Sequence, residues 1–492
     1  MTGDLARAVR DVDQALARHP IFGDSTLILA RVLDRYRFGV RLFGERLPDV
    51  AAALPALERL SDGEARRVFF DPLVRLALEA AFADLEAGTL ASPHRLEEVL
   101  PPALGALPLG LCEARMRGRW CISSEEPKWM WDLDGRDDPH VAALHRAFEG
   151  IFEGERGSRG QLIGPDADSR QRVEDAVELV AAVLPHAGAA SLRHIDAIAL
   201  LEARLEGGTV MSGAGGDITP STVFLSLGEL GNPWDIAGSL LHEGLHLKLF
   251  DAAQAVALTT APGEMVQVPW RDVRWSMVRA IFAYHVYVHQ NLLKAAALSP
   301  SHALVARFGH PSSYSTRPHA MSLVQNDETA RFGRAIDRTR YLGHQLATSW
   351  SHMLTPGGLE LVRWLAACFA PIERAWSADS HPEPDGMRMT YHRAEHVRTQ
   401  PVERAGFLMA FSPATRRLQW LDLNAWLIFE LCDGRSGAEL ERAYLDAVGD
   451  ADDGDARRQL RAGLDALVAG GLITRDTSTT TEVRHEERVE RS

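Results

Sequence analysis

Apolar side chains recur every three or four positions through most of the first 155 residues. Stretches such as STLILARVLDRYRFGVRLFGERL and DPLVRLALEAAFADLEAG set them on one helical stripe, with arginines and acids on the other. The pattern predicts a helical N-terminal region, 1–155, which holds no recognisable chemical motif. A Gly- and Asp-rich stretch, GERGSRGQLIGPDADSR, marks a candidate boundary. Beyond it the pattern predicts a helix (QRVEDAVELVAAVLPHA), a strand (HIDAIALLEARL), a glycine-rich turn (GGTVMSGAGGDITP) and a second strand (STVFLSLGEL).

A long helix should begin at Asn232-Pro233-Trp234-Asp235. Asparagine suits the N-cap, proline the first helical position and a carboxylate the first turn. It runs through DIAGSLLHEGLHLKLFDAA, where Gly238 and Gly244 keep parts of its surface slim. A loop (TTAPGEMVQVPW) leads to an apolar helix, VRWSMVRAIFAYHVYVHQNLLKAAA, and two further helices close a middle region, 156–377. SADSHPEPDG has linker composition and predicts a linker over 378–391. Residues 392–476 then read as a hairpin (GFLMAFSPATRRLQWLDLN) and three helices: LNAWLIFELCDG stopped by Gly434, SGAELERAYLDAV capped by Ser436, and ARRQLRAGLDALVAGGLIT ending at Gly470-Gly471. This is a winged-helix outline. The last residues, 477–492, are expected to be a disordered tail. The fold class expected is therefore mainly α with a small α+β content: a helical metal domain and a C-terminal winged-helix-like domain.

Composition narrows the partners. The 492 residues suffice for two to four domains. A net charge of −14, with the acidic run ERAYLDAVGDADDGD inside the winged-helix outline, argues against nucleic acid as its ligand. Cys112, Cys121, Cys368 and Cys432 form no CxxC pair, so neither a zinc ribbon nor a disulfide framework is indicated. No apolar run approaches the length of a membrane span, and the N-terminus reads as an amphipathic helix. These features lead us to expect a soluble, cytoplasmic protein without a membrane partner.

The most informative residues are His242-Glu243-Gly244-Leu245-His246. On a helix the histidines at i and i+4 share a face one turn apart, so both can bind one metal ion while Glu243 projects beside it. A third ligand is needed. The pattern HExxHxxGxxH is excluded by Leu249 and Ala252. Glu264 follows His246 by eighteen residues but lies in a loop-like stretch. His285 and His289 are a second i, i+4 pair on an apolar helix, where an uncompensated ring is costly to bury. His285 is preferred because Arg274 lies eleven residues earlier, almost on its stripe; Arg271 shares that stripe and Arg279 does not. Such a cation can hold an anionic co-substrate. Three protein ligands serve two chemistries. Zinc would activate a water with Glu243 as general base for amide hydrolysis, whereas ferrous iron would leave room for a 2-oxo acid and dioxygen. The local pattern leaves both open.

The run LDLNAWLIFELCDGRSGAEL, followed by LRAGLDALVAGGLI, resembles the recognition element of ribosomally synthesised and post-translationally modified peptide (RiPP) pathways, typified by the peptide chaperone of pyrroloquinoline quinone biosynthesis. The resemblance covers about 80 residues and rests on Leu423-Asn424, Asp433-Gly434 and Gly471-Leu472-Ile473. It implies that a precursor's leader adds to an exposed strand edge around Arg417 to Leu421 and packs against the helix Asn424 to Leu431. Arg417, Leu418, Trp420, Leu421, Trp426 and Phe429 are then the candidate peptide contacts. The N-terminal hairpin looks shorter than in that family.

The middle region, in turn, resembles HExxH-motif peptide β-hydroxylases of RiPP clusters, through LLHEGLHLKLF, PWRDVRW, the Ile281–His289 spacing and LTPGGLELV. That resemblance implies Fe(II) held by His242, His246 and His285, with Glu243 as a neighbouring or acid/base residue and 2-oxoglutarate as co-substrate. The activity expected is β-hydroxylation of a side chain in a precursor peptide, whose leader and core are both bound. The rivals are a zinc metallopeptidase using Zn(II) at the same residues and a non-catalytic peptide-binding scaffold. The N-terminal region would line the peptide channel or form a homodimer interface.

Overall fold

A computed structural model describes residues 3–88, 94–107, 110–111, 121–122, 128–131, 142, 159–205, 208–209, 212–215, 219–228, 230, 232–270, 274–298, 300–311, 335–379, 387–402, 407–448 and 453–479. The chain is mainly helical with small sheets, and it divides into two compact units, 1–380 and 381–492. No described helix is long and apolar enough to cross a membrane.

Within the first unit, the N-terminal helices are α1 (Gly3–Leu16), α2 (Ser25–Gly44), α3 (Pro48–Leu57), α4 (Asp62–Phe69), α5 (Pro72–Glu86) and α6 (His94–Gly105). A mixed sheet follows: β1 (Trp129–Met130), β2 (Arg159–Ile163), β3 (Ala197–Leu205), β4 (Gly208–Thr209), β5 (Ser212–Ala214) and β6 (Thr222–Leu225). Its order is β1-β3-β6-β5, with β2 and β4 also on β3; β3 runs parallel to β1 and β6, and β5 antiparallel to β6. Helices α7 (Ala167–Val183) and α8 (Ala187–Leu192) lead into β3, and α9 (Pro233–Ala253) follows β6.

Strand alternation makes this sheet the partition between two cores. Met130, Ile198, Leu200, Val223 and Leu225 face one core, shared with α9 and α1. Trp129, Trp131, Ala199, Leu201 and Phe224 face the other, built from α2 to α6. The N-terminal helices thus form layers against the same sheet as α9, within one compact unit. The sheet crosses the expected boundary near 156: β1, before it, pairs in parallel with β3, after it, through Trp129↔Ala197 and Met130↔Ile198.

The helix start at Asn232 follows the sequence expectation, its side chain accepting from the Trp234 and Asp235 amides at 2.9 and 3.1 Å. Gly244 permits a close approach: a Cβ there would stand 3.1 Å from the Ser191 carbonyl oxygen on α8. Opposite α9 packs α10 (Met277–Ala297), which follows a small hairpin of β7 (Met265–Val266) and β8 (Trp275–Ser276). Helices α11 (His302–Phe308), α12 (Ala335–Ala347) and α13 (Pro356–Asp379) complete the unit.

In the second unit, β9 (Met387–Arg393) pairs with β13 (Asp433–Ser436) and β14 (Ile473–Thr479), while β10 (Arg398–Val402), β11 (Phe407–Ser412) and β12 (Arg417–Leu421) form a meander. Helices α14 (Leu423–Leu431), α15 (Gly437–Val448) and α16 (Asp453–Ala469) cover them. The expected linker 378–391 is shorter, because α13 continues to Asp379 and β9 begins at Met387, taking seven partners on β14. Nor is the N-terminal hairpin short, since β10 adds a third strand to it. The tail expected at 477–492 starts inside β14, and 480–492 lie outside the described residues.

Candidate metal centre

The half-buried rings of His242 and His246 sit 4.9 Å apart on one face of α9, with their Nε2 atoms separated by 3.2 Å. The His246 ring stacks on Phe282 of α10 at 6.1 Å, and Phe282 in turn meets Phe250 at 4.6 Å. Glu243 is only 5% exposed. Its Oε1 accepts a 2.7 Å bond from the Ser212 hydroxyl, and the Ala214 amide also donates to the carboxylate. Strand β5 is an edge of the sheet among the described residues, and Glu243 caps it with a charged acceptor.

Burial raises the Glu243 carboxyl above its ordinary value, with His242, Ser212 and Ala214 opposing the shift. Burial, then His242, then Arg279 hold the His246 imidazole well below the usual range. A neutral imidazole is the metal-ligand form. One ligand atom from each of His242, Glu243 and His246 lies within 4.8 Å of the others. With metal–nitrogen bonds of about 2.0–2.1 Å, the 3.2 Å Nε2 separation subtends about 100° at a shared ion, between tetrahedral and octahedral values. The residues present therefore fit a divalent metal.

Other expected site residues fall differently. His285 is fully buried on α10 and neither ring nitrogen has a hydrogen-bond partner. Burial, with His289, Lys248, His246 and His194 around it, keeps it well below its ordinary pKa. It lies within electrostatic reach of His246 but outside the His242, Glu243 and His246 cluster. The ring of His289 donates from Nδ1 to the His285 carbonyl at 2.8 Å, and burial pushes its pKa down to about 3. Glu264 is exposed and outside the group; its carbonyl accepts from the Met277 amide at 2.8 Å.

Arg274 does not share a stripe with His285. Helix α10 starts at Met277, the two residues before it are extended, and the exposed Arg274 guanidinium donates to the Met265 carbonyl at 2.6 Å. Arg271 lies outside the described residues. Ser212 and Ala214 were missed because their stretch reads as a glycine-rich turn.

On the second unit, Leu418 and Trp420 are 54% and 59% exposed on β12, an edge strand among the described residues, and Arg417 is exposed beside them. Phe407 meets Trp420 edge-on at 6.5 Å. Leu421 and Phe429 belong instead to the core with Leu408 and Ile428, so they cannot be surface contacts. Trp426 is half-buried, its indole donating to Glu430 at 3.2 Å. No protein-family model matches the chain, and no curated protein matches it significantly.

Proposed function

We propose that the chain is an iron(II)- and 2-oxoglutarate-dependent β-hydroxylase of a ribosomal precursor peptide. The observation that carries this is the ligand group itself. Two imidazoles and one carboxylate close enough to share an ion match the donor set of non-haem Fe(II) oxygenases, which leaves positions open for co-substrates. Bound iron would supply activation of dioxygen together with the 2-oxo acid. The chain's own residues do the rest. His242 and His246 hold the ion, Ser212 and the Ala214 amide fix the Glu243 carboxylate, and Phe282 and Phe250 form an apolar wall on the His246 side.

The second unit, as a winged-helix-like leader reader, takes the precursor along β12. Main-chain bonds to the free edge supply affinity and alternate side chains meet Leu418 and Trp420. A captured leader keeps the core segment at high local concentration, so the metal pocket can stay permissive.

A zinc peptidase is the second reading, favoured by the burial-raised Glu243 carboxyl, which suits a general base. Incubating a synthetic precursor peptide carrying leader and core with the full chain and either Fe(II) plus 2-oxoglutarate or Zn(II) separates the two. Hydroxylated peptide with succinate supports the proposal; peptide cleaved under Zn(II) overturns it. Activity undiminished in His242→Ala or His246→Ala would point to a non-catalytic metal site.

A further inference from the structure

Helix α9 is closed on nearly every side. From Trp234 to Ala253 only Ser239, His242, His246, Phe250 and Ala253 keep solvent access, and their spacing of three or four residues sets them on one stripe. The His242–His246 pair sits in the middle of that line. One end is polar, at Ser239, and the other is apolar, at Phe250 and Ala253.

Ring contacts join the apolar end directly to the histidine pair. His246 stacks on Phe282 at 6.1 Å with 15° between the planes, and Phe282 meets Phe250 at 4.6 Å, tilted by 59°. Phe282 is 5% exposed and forms the back of this corner, whereas Phe250 is half-buried and keeps a face open. The open stripe of a helix normally carries polar side chains. Here it carries an aromatic ring backed by a second one, a surface that gains free energy when an apolar group covers it. One turn of helix rises about 5.4 Å, and alternate side chains of an extended peptide lie about 6–7 Å apart. A peptide laid along the stripe with one side chain at the His242–His246 pair therefore brings the side chain two positions away to Phe250.

We propose that Phe250 and Phe282 form a side-chain subsite that selects an aromatic or large aliphatic residue two positions from the one presented to the His242–His246 pair. The inference rests on the functional proposal above for its peptide substrate. It applies to hydroxylation and to cleavage alike, because it concerns what lies beside the ion and not the chemistry done there.

The full chain is loaded with Ni(II) and titrated calorimetrically with two chelating probes. Acetohydroxamic acid binds the metal and reaches no further, while phenylbutyrohydroxamic acid adds a phenyl ring on a three-carbon tether. The parent should bind the phenyl compound about tenfold tighter or more, the gain expected for covering an aromatic ring. Phe250→Ala should lose most of that gain and Phe250→Leu should keep most of it, with nickel content unchanged and acetohydroxamate affinity within about twofold of the parent in both. A parent that gains less than about twofold from the phenyl ring, or a gain undiminished in Phe250→Ala, overturns the subsite alone. A parent that takes up no nickel, or that binds neither hydroxamate once loaded, overturns the functional proposal and the subsite with it.

Discussion

The buried ion pair between Arg75 of α5 and Asp251 of α9 ties the N-terminal helices to the helix that carries His242 and His246. Asp251 follows His246 by five residues, and the two side chains are 2% and 3% exposed. Arg75 donates to Asp251, to the Ser221 hydroxyl and, through Nε at 2.9 Å, to the Tyr36 hydroxyl. The other Asp251 oxygen meets His194 Nδ1 at 2.5 Å, and His194 Nε2 lies 2.9 Å from Ser25. Burial pushes the Asp251 carboxyl up, yet Arg75 and His194 more than offset it and hold it below its ordinary value.

Arg75→Met leaves that carboxylate buried with only His194 beside it. Breaking a buried pair on one side costs about 3–5 kcal/mol, a third or more of the roughly 5–15 kcal/mol available to a typical domain. Asp251→Leu strands the guanidinium at similar cost. The double variant removes both charges and should lose about 2 kcal/mol or more less than the sum of the singles. Urea unfolding of the full chain, followed by tryptophan fluorescence and metal competition, measures this cycle. A cost below about 1 kcal/mol for Arg75→Met, or simple additivity, would refute the anchoring role.

Three further outcomes are expected. His289 has a folded pKa of about 3 against an ordinary 6.5, so its contribution is complete above pH 6.5 and lost as pH falls towards 3, by at most about 4–5 kcal/mol; metal-free His289→Asn, which can keep the bond to the His285 carbonyl, should flatten acid unfolding in that window. Lys248, buried with one bond to the Gly23 carbonyl, is pushed down to about 7 by burial, so stability is lost as pH falls from its ordinary 10.5 towards 7. Lys248→Met should therefore raise the melting temperature at pH 7 and not above pH 10.5. Trp420→Ser should weaken precursor binding by about 1–2 kcal/mol in fluorescence anisotropy while the second unit melts normally, whereas Phe429→Ala should cost about 3–5 kcal/mol of that unit's stability.

Legibility in the sequence followed the range of the physics involved. Local signals held: the Asn232 cap, the reciprocal Ser436–Glu439 cap of α15 and the left-handed Gly471 after α16 lie where the residues placed them. Tertiary choices did not show. The partition of α1 to α6 against the sheet depends on long-range alternation in β3 and β6, which a boundary drawn from composition cannot detect. Helical counting back from His285 broke at the Ser276 cap, so Arg274, which precedes it, leaves the stripe of His285. The HExxH spacing did bring His242 and His246 together, and among the described residues the side chain grouped with them is the intervening Glu243.

The central claim is tested most directly by the fate of dioxygen. The full chain would be reconstituted with Fe(II), 2-oxoglutarate and the precursor under isotopically heavy dioxygen, and the peptide read by fragment mass spectrometry. The account predicts one heavy oxygen on a single side-chain β-carbon, with succinate formed in equal amount and neither product in the His242→Ala protein. A peptide that is cleaved, or that gains oxygen only from water, would contradict it.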